Sequence, residues 1–447
     1  MNAPSERIAV FGLGKLGAVI AACHASRGFR VMGVDVDRDV VARVADGRPP
    51  VEEPGIDALF ASCEGRLSAT ADADAAVRAS DVSLVVVPTP SEPDGSYSLR
   101  HARAACEAIG RALRGDPRPH LVVMKSTVLP GACERELVPA LERASARRVG
   151  RDLHFCYAPE FVALGSVVRN VFAPDLVLIG ESGPAAGEWF ARVSARIVDG
   201  ARPTARMAIA NAELTKLALN AFVTTKITFA NLLAQICERL PGGDVDAVTG
   251  ALGLDGRIGA RALQGGLGYG GPCFPRDNHA LLCLARSLDV PFPIAEATDA
   301  ANRALPGRVA SQIAARTPAG GRVAVLGLSY KPATAVVEES QGLQLAAGLA
   351  ARGFEVTAYD PLALEAARAE LGDAIKYAES ADACAEGADV VVIATPWPEL
   401  RAAGIAAAEA PRRPLVVDCF DLLHGVGRDD GRIWRLGRAS LREGGTT

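Results

Sequence analysis

The sequence lacks the features that define several classes of protein. Its ten cysteines form no C-x-x-C pair, which makes a zinc site or a disulfide framework unexpected. It has no basic block and its net charge is −4, so neither nucleic acid nor an anionic membrane is an expected partner. The first residues show no signal-peptide pattern, and no apolar run approaches the ~18 residues of a membrane span. The expectation is a cytoplasmic protein that holds no metal.

Lysine is scarce as well. Of the 48 residues that are Lys or Arg, six are lysines. An ammonium is a compact charge that can lose its proton when buried, whereas a guanidinium cannot. Lys125, Lys216 and Lys331 fall inside motif-like segments and are therefore candidates for chemistry. Chance is a sufficient explanation for the other three.

The chain begins with a dinucleotide-binding pattern. RIAVFGLGKLG, AVIAACHASRGF and RVMGVDVD predict a strand with a glycine turn, a helix and a second strand. Gly12, Gly14 and Gly17 have the G-x-G-x-x-G spacing, and Asp35 closes the second strand eighteen residues after Gly17. The glycines would let a pyrophosphate reach the helix N-terminus, and Asp35 would accept hydrogen bonds from the ribose. Because Asp35 would repel a 2′-phosphate, the expected cofactor is NAD.

Later apolar segments predict more buried strands and a second α/β unit. Three strands end in the motifs PTP (88–90), KST (125–127) and PEF (159–161). Ligands of open α/β sheets bind beyond the carboxyl ends of strands, so these motifs are the expected rim of a cofactor and substrate site. The second unit begins at GRVAVLGLSYKP (321–332), which has no G-x-G-x-x-G and predicts no second dinucleotide site. The tail from about Gly425 is polar, and we expect it to be irregular.

From about 204 to 303 the strand pattern stops. NAELTKLALNAFVTTKITFANLLAQICERL predicts one long helix, with Lys216 and Asn220 four residues apart on one face. A solvated face is the alternative, although apolar neighbours such as Leu217 and Phe222 argue against it.

Cys273 lies in the segment GLGYGGPCFPRD (266–277). The glycines let the backbone turn sharply and approach a ligand, and Pro272 and Pro275 stiffen the chain on either side of the thiol. A nucleophile that must face a substrate needs such surroundings, whereas a buried structural cysteine does not. The alternative is a Gly/Pro loop with an incidental cysteine.

Across nearly the whole chain, the sequence resembles the UDP-glucose/GDP-mannose dehydrogenase family. The matching segments are, in the family's order, GLGKLG, PTP, KSTVLPG, APEF, AELTKLALNAF, GLGYGGPCFPRD, GLSYKPAT, YDP and IATPWPEL. The resemblance implies an α/β fold in which two Rossmann-like, doubly wound parallel-sheet domains are joined by a central helical domain with a long helix. The implied domains are an NAD-binding domain (1–203), a central domain with the Cys273 loop (204–303) and a domain that binds the nucleotide sugar (304–447).

The resemblance also implies a reaction. Two NAD molecules in succession would oxidise a sugar C6 alcohol to a carboxylate, most simply UDP-glucose to UDP-glucuronate. The Cys273 thiolate would add to the intermediate aldehyde, and the resulting thiohemiacetal would become a thioester that water hydrolyses. Lys216 and Asn220 would stabilise the oxyanion, with Asp277 as an acid/base partner. Glu160 would activate the hydrolytic water.

The implied site residues form three sets that overlap. The catalytic residues are Cys273, Lys216, Asn220, Asp277, Glu160 and Thr127. The expected cofactor-binding residues are Gly12, Gly14, Lys15, Leu16, Gly17, Asp35, Pro88, Thr89 and Thr127. The substrate-binding residues are Phe161, Lys216, Asn220, Arg257, Tyr269, Gly270 and Lys331. In the family an arginine at the position of Arg257 enters a neighbouring active site, so a homodimer through the long helix is expected.

The sequence departs from the family pattern at several positions. Leu164 replaces a usual glutamate, Glu338 an arginine near the cofactor, and Leu176 and Phe420 two further arginines. A relative that oxidises another nucleotide sugar, or a nucleotide-like alcohol of specialised metabolism, therefore remains an alternative. A two-electron dehydrogenase of the 6-phosphogluconate or 3-hydroxyacid type is a third possibility, although it has no use for Cys273. An inactive NAD-binding scaffold is the fourth.

Overall fold

The computed structural model describes residues 6–426 and 432–439. The chain divides into two compact units between Ala218 and Leu219.

The first unit contains an eight-stranded sheet. Its strands are β1 (Arg7–Phe11), β2 (Arg30–Val34), β3 (Leu67–Thr70), β4 (Val82–Val85), β5 (Leu121–Met124), β6 (His154–Tyr157), β7 (Val177–Glu181) and β8 (Thr204–Ala208). Its helices are α1 (Gly17–Ser26), α2 (Arg38–Ala45), α3 (Ile56–Ala61), α4 (Ala73–Arg78), α5 (Arg100–Leu113), α6 (Val138–Ser145), α7 (Val167–Phe172) and α8 (Pro184–Ile197), and a π-helical turn spans Cys133–Leu137.

The strand order of this sheet is β3-β2-β1-β4-β5-β6-β7-β8. Neighbouring strands are parallel except for β6 and β7, which are antiparallel. Strands β4 and β5 are buried along their whole length, as expected where helices cover both faces of a sheet. Separate apolar clusters lie on the two faces, one containing Ile8 and Ile20 and the other Phe11 and Ile109. This packing holds the carboxyl ends of β1, β4, β5 and β6 along one rim.

The second unit contains a six-stranded sheet and several helices that precede it. The long helix α9 (Ile209–Cys237) includes the division between the units and is followed by α10 (Val245–Leu254), α11 (Phe274–Ser287) and α12 (Pro293–Ala314). The later helices are α13 (Gln341–Ala350), α14 (Leu364–Leu371), α15 (Ala381–Ala385) and α16 (Leu400–Glu409). The strands are β9 (Arg322–Leu326), β10 (Glu355–Tyr359), β11 (Lys376–Tyr377), β12 (Val390–Ile393), β13 (Leu415–Asp418) and β14 (Ile433–Arg435).

All neighbouring strands of the second sheet are parallel, in the order β11-β10-β9-β12-β13-β14. The prediction of an α/β chain with two largely parallel sheets and a helical region between them is confirmed. The long helix also forms where the sequence predicted it. The extents of the three predicted domains remain predictions.

Two local predictions were wrong. The strand pattern does not stop at 204, because Thr204–Ala208 pairs with β7 as the edge strand of the first sheet. The tail is not irregular throughout, since Ile433–Arg435 pairs with β13 and buries Trp434.

Helix α9 is long and apolar enough to cross a membrane by length and composition, with a mean hydropathy of 1.3 over its most apolar window. This test also selects core helices of globular proteins, and 44% of that window is buried in the fold. The buried residues of α9 include polar side chains that bond to other elements. Asn231, for example, accepts a hydrogen bond from the Gly266 N–H. These contacts favour the core-helix interpretation.

Candidate active site

The glycine turn after β1 has the geometry that a dinucleotide requires. Gly12 has φ +91°, and a Cβ there would lie 2.6 Å from the Val86 carbonyl oxygen. A Cβ on Gly17 would lie 1.9 Å from the Gly12 carbonyl oxygen, so only glycine lets α1 start this close to the turn. Gly14 is exposed and has open space beside it. The turn therefore fits the pyrophosphate of NAD at the N-terminus of α1.

Asp35 lies just beyond β2, as the sequence predicted for the ribose-binding acid. Its Oδ2 accepts a hydrogen bond from the Leu13 N–H at 2.7 Å, and its Oδ1 accepts one from the Asp37 N–H at 3.0 Å. These bonds orient the half-buried carboxylate while each oxygen retains a further lone pair. In the same turn, Lys15 is exposed and Leu16 is half-buried.

The PTP and KST motifs lie together at the ends of β4 and β5. The Thr89 hydroxyl donates to the Thr127 carbonyl oxygen at 2.8 Å, and the Ser126 hydroxyl donates to the Val87 carbonyl oxygen at 2.6 Å. Pro88 is exposed beside the buried Thr89. The two strand ends therefore form one continuous rim that presents the half-buried Thr127.

Glu160 follows β6 and forms an ion pair with Lys125, which follows β5. Lys125 is buried and its Nζ lies 5.2 Å from the centre of the Phe190 ring. A small cavity of about 40 Å³ beside the pair is also lined by His24. Burial lowers the pKa of His24 to about 4, so this imidazole is neutral at pH 7. The sequence marked Lys125 only as a candidate for chemistry, and the structure shows that its partner is Glu160.

The loop that carries Glu160 and Phe161 is held by a carboxylate from a distant part of the chain. The Glu53 carboxylate accepts hydrogen bonds from the Gly165 and Val167 N–H groups at 2.8 and 2.7 Å. Both donors lie at the start of α7, where backbone N–H groups lack helical partners. Sequence reasoning missed Glu53 because no residue pattern marks a carboxylate that binds only backbone groups. Leu164 lies in the same loop and packs against the core of the first unit.

Glu213 is a second carboxylate that the sequence did not indicate. It is fully buried on α9 and accepts hydrogen bonds from the backbone N–H groups of Gly131 and Cys133. Burial raises its pKa above the ordinary range of a glutamate. Its partners lie a few residues after Thr127, so Glu213 ties the Thr127 loop to α9.

Lys216 lies three residues beyond Glu213 and is also buried. Its Nζ lies 4.8 Å from the centre of the Phe161 ring, a distance typical of a cation–π contact. The face of α9 that carries Lys216 and Asn220 is therefore not a solvated face, since both side chains are buried. Within the first unit, Thr127, Glu160, Phe161 and Lys216 are linked by these contacts.

In the second unit, Asn220 and Asp277 form a buried pair. The Asn220 side-chain amide donates to Asp277 Oδ2 at 2.6 Å, and Asp277 is almost fully buried in the first turn of α11. The neighbouring Arg276 Nε lies 3.6 Å from Asp277 Oδ1. The two predicted catalytic residues are thus in direct contact, and a positive charge lies beside the carboxylate.

All ten cysteines lie in the described part of the chain, and Cys273 alone among them is exposed. It directly precedes α11 as its N-cap residue, at a helix end where free N–H groups and the dipole favour negative charge. The preceding turn packs on another loop, because the Gly271 N–H donates to the Glu338 carbonyl oxygen at 2.9 Å. A Cβ on Gly270 would lie 2.1 Å from the Glu339 carbonyl oxygen. Glycine is therefore required for this close approach.

Tyr269 is fixed by two asparagines that the sequence did not indicate. Its backbone N–H donates to Asn302 Oδ1 at 2.9 Å, and its hydroxyl accepts a hydrogen bond from the Asn278 side chain at 3.0 Å. Burial, with Asp299 nearby, raises the pKa of Tyr269 to about 12. The ring also packs edge-on against Phe274, next to Cys273. The one sequence clue to the role of Asn278 in holding Tyr269 is that it directly follows Asp277.

The remaining predicted substrate residues lie on two loops. Lys331 is half-buried, with its Nζ 5.9 Å from the centre of the Tyr330 ring. Arg257 is 89% exposed and pairs with Asp255 through hydrogen bonds of 2.7 and 3.0 Å. Of the residues that depart from the family pattern, Glu338 is exposed, and Phe420 packs closely on Gly266. The Phe420 ring therefore touches the loop that carries Cys273.

Three sequence profiles of one family match successive parts of the chain. They are described as the NAD binding domain (residues 6–198), the central domain (210–304) and the UDP binding domain (324–425) of the UDP-glucose/GDP-mannose dehydrogenase family. Together they span most of the sequence.

Individual relatives agree with the profiles. A UDP-glucose 6-dehydrogenase of Haloferax volcanii is 38% identical over 92% of this chain and 96% of its own length. A GDP-mannose 6-dehydrogenase of Pseudomonas putida is 34% identical over 79% of this chain and 80% of its own length. The solved structure of a UDP-glucose dehydrogenase from Pyrobaculum islandicum matches with a TM-score of 0.87 and 36% identity, covering 98% of this chain and 100% of that one.

Proposed function

The chain belongs to the UDP-glucose/GDP-mannose dehydrogenase family, and from this premise we propose that it oxidises the C6 alcohol of a nucleotide sugar, most simply UDP-glucose, to the carboxylate. The alcohol loses four electrons as two hydrides, and water supplies the second carboxylate oxygen. NAD, bound at the Gly12–Gly17 turn, supplies the hydride acceptor for both steps. Three protons are released per substrate.

The observation that carries this proposal is the setting of Cys273. It is the exposed cysteine at the start of α11, on a turn stiffened by proline, next to the buried Asn220–Asp277 pair. A thiolate in this position would add to the carbonyl carbon of the aldehyde and form a C–S bond. Removal of the second hydride would leave a thioester, and water would then displace the thiolate and restore the thiol after protonation. A two-electron enzyme would need no such nucleophile.

The other residues have roles that follow from their chemistry. The Lys216 ammonium and the Asn220 amide are donors suited to the oxygen that gains charge when the thiolate adds. The Asp277 carboxylate orients the Asn220 amide through its 2.6 Å hydrogen bond and can exchange a proton with a nearby water. Glu160, paired with Lys125, would accept a proton from the hydrolytic water, and Thr127 would position that water or the substrate.

The substrate-binding residues divide between the two units. Phe161 lies in the first unit, whereas Tyr269, Gly270 and Lys331 lie in the second, and Lys331 would contribute a positive charge toward the nucleotide. The relatives include both UDP-glucose and GDP-mannose enzymes. In addition, Glu338 and Phe420 stand where the family pattern usually has arginines. A different nucleotide sugar is therefore the second candidate substrate.

A homodimer belongs to this proposal. Helix α9 exposes a row of apolar side chains on one side, which we call the α9 apolar face: Phe222, Phe229, Leu232 and Ile236. An apolar helix face of this kind is typical of a protein interface. The exposed Arg257 would then reach the active site of the partner subunit.

The test is a count of NADH per substrate. Purified protein with limiting UDP-glucose, UDP-N-acetylglucosamine or GDP-mannose should yield two NADH per molecule of the true substrate. Cys273→Ser should abolish formation of the sugar acid, while Cys283→Ser, at a half-buried cysteine later in α11, should retain it. One NADH per substrate, or a Cys273→Ser variant with normal turnover and stoichiometry, would refute the covalent mechanism.

A further inference from the structure

Lys226 binds two successive carbonyl oxygens of a loop that follows α10. Its Nζ donates hydrogen bonds to the Ile258 oxygen at 3.1 Å and to the Gly259 oxygen at 2.9 Å. We call residues 255–259 the Arg257 turn. Sequence reasoning left Lys226 to chance, yet its side chain joins this turn to α9.

The Arg257 turn is itself compact. The N–H groups of Ile258 and Gly259 both donate to the Asp255 carbonyl oxygen at 2.9 Å, and the Asp255 carboxylate binds the backbone and side chain of Arg257. Gly259 has φ +70°, which favours glycine at this corner. The turn therefore behaves as a small rigid unit, and Lys226 attaches that unit to the long helix.

The chemistry of this attachment suits lysine. An ammonium has three donors around one nitrogen and can bind two neighbouring carbonyl oxygens at once. A guanidinium distributes its donors over a planar fork, which does not match two oxygens that converge on one point. In a chain that uses arginine for most of its positive charges, this site retains one of six lysines.

The attachment lies beside the α9 apolar face. Lys226 is four residues after Phe222 and three before Phe229, which places all three on one side of the helix. Phe222 and Phe229 are 66% and 51% exposed, and Leu254, just before the turn, is 88% exposed. The turn is thus held at the edge of the surface that we assigned to the dimer.

We propose that Lys226 is a positioning residue that fixes the Arg257 turn on α9, so that Arg257 is held in place for the active site of the partner subunit. This inference rests on the dimeric dehydrogenase proposed above. Lys226 itself would touch neither substrate nor cofactor. It would act through Arg257 alone.

A double-mutant cycle tests this dependence. Lys226→Gln should raise the KM for the nucleotide sugar about tenfold with little change in kcat, the size expected for loss of one positioning hydrogen-bond contact. Lys226→Arg should also have a higher KM than the wild type, because a guanidinium does not fit the two carbonyl oxygens. In an Arg257→Ala background, Lys226→Gln should change the KM less than about twofold, because coupled residues are not additive.

Hydrogen exchange supplies a readout that is independent of activity. The Ile258 and Gly259 amides should exchange faster in Lys226→Gln than in the wild type, while the melting temperature changes little. Lys376→Gln is the matched control, because Lys376 is exposed and pairs only loosely with Glu355 at 3.7 Å. That variant should match the wild type in both measurements.

The possible outcomes separate the two proposals. If Arg257→Ala impairs the reaction as expected but Lys226→Gln still raises the KM about tenfold in that background, the role proposed for Lys226 is overturned, while the role proposed for Arg257 stands. Unchanged activity of Arg257→Ala would overturn the role of Arg257, and with it this inference. Unchanged exchange at Ile258 and Gly259 in Lys226→Gln would show that the lysine does not hold the turn.

Discussion

Asp35 and Asp360 occupy the same position in two separate sheets. Each follows the strand next to the first strand of its sheet, and each accepts a hydrogen bond from the turn after that first strand, from the Leu13 N–H at 2.7 Å and from the Leu328 N–H at 2.8 Å. Asp360, however, is 1% exposed and also binds Ser329 and the indole N–H of Trp397. The second sheet therefore uses its acid to stabilise the fold, whereas the first keeps its acid accessible to a ligand.

The first prediction follows from this difference. Asp35→Asn should raise the KM for NAD about tenfold, because a charge-assisted hydrogen bond to the ribose is weakened, and should change stability little. Asp360→Asn should leave the KM for NAD unchanged but lower the melting temperature. The side-chain NH2 of the asparagine would face N–H and O–H donors that now bind a carboxylate oxygen. Initial rates and thermal unfolding of both variants make the comparison. A large rise in the KM for NAD in Asp360→Asn would contradict it.

The sequence predicted the strands whose ends carry the candidate site residues, because buried parallel strands appear in the sequence as apolar runs, here followed by distinct motifs. It did not predict β8, since Thr204–Ala208 is an edge strand with alternating burial. It also missed β14, a strand of three residues whose segment carries too little pattern to identify. Very short or edge strands form because a neighbouring strand offers hydrogen bonds, and that neighbour is not visible in the local sequence.

The same limit applies to the site. Cys273, Lys216 and Asp277 stand in motifs with distinctive residue types, so the sequence could mark them as candidates. Glu53 and Glu213 bind backbone N–H groups of distant loops, and such partners leave no residue pattern. Sequence reasoning thus finds groups suited to chemistry more readily than the groups that hold them in place.

The second prediction concerns the buried Lys125–Glu160 pair. Lys125→Met should lower the free energy of unfolding by about 3 kcal/mol, because it leaves a buried carboxylate without its opposite charge. The double variant Lys125→Met/Glu160→Gln should be more stable than Lys125→Met, since the uncompensated charge is gone. Lys376→Met, at an exposed lysine, should change stability by less than about 0.5 kcal/mol. Urea unfolding at pH 7 measures all three, and equal stability of the first two variants would refute the explanation.

The third prediction is a loss of stability in mild acid from two buried histidines. Burial lowers the pKa values of His24 and His120 to about 4, below the ordinary value of 6.5. The unfolded chain therefore binds protons that the folded chain does not, so stability falls as the pH drops from 6.5 toward 4. Each histidine should account for about 2 kcal/mol between pH 7 and pH 5.

Urea unfolding at the two pH values tests this for His24→Gln and His120→Gln. Each variant should lose less stability than the wild type between pH 7 and pH 5, while His101→Gln, at an exposed histidine, should follow the wild type. Comparison with the wild type removes the contribution of carboxylates that titrate in the same range. A wild-type pH dependence in both buried-site variants would show that other groups are responsible.

The fourth prediction concerns the α9 apolar face. Phe229→Asp should convert the proposed dimer to a monomer, because a charge in an apolar interface would lose its hydration without gaining a partner. Leu362→Asp, at an exposed leucine that follows β10, is the matched control and should leave the oligomeric state unchanged. Sedimentation velocity measures the oligomeric state.

The activity of the Phe229→Asp monomer tests the role of Arg257. Because each site would lack its partner's Arg257, this monomer should bind NAD normally but oxidise the sugar poorly. A fully active monomer would refute the exchange of Arg257 between subunits, and a wild type that sediments as a monomer would refute the dimer itself.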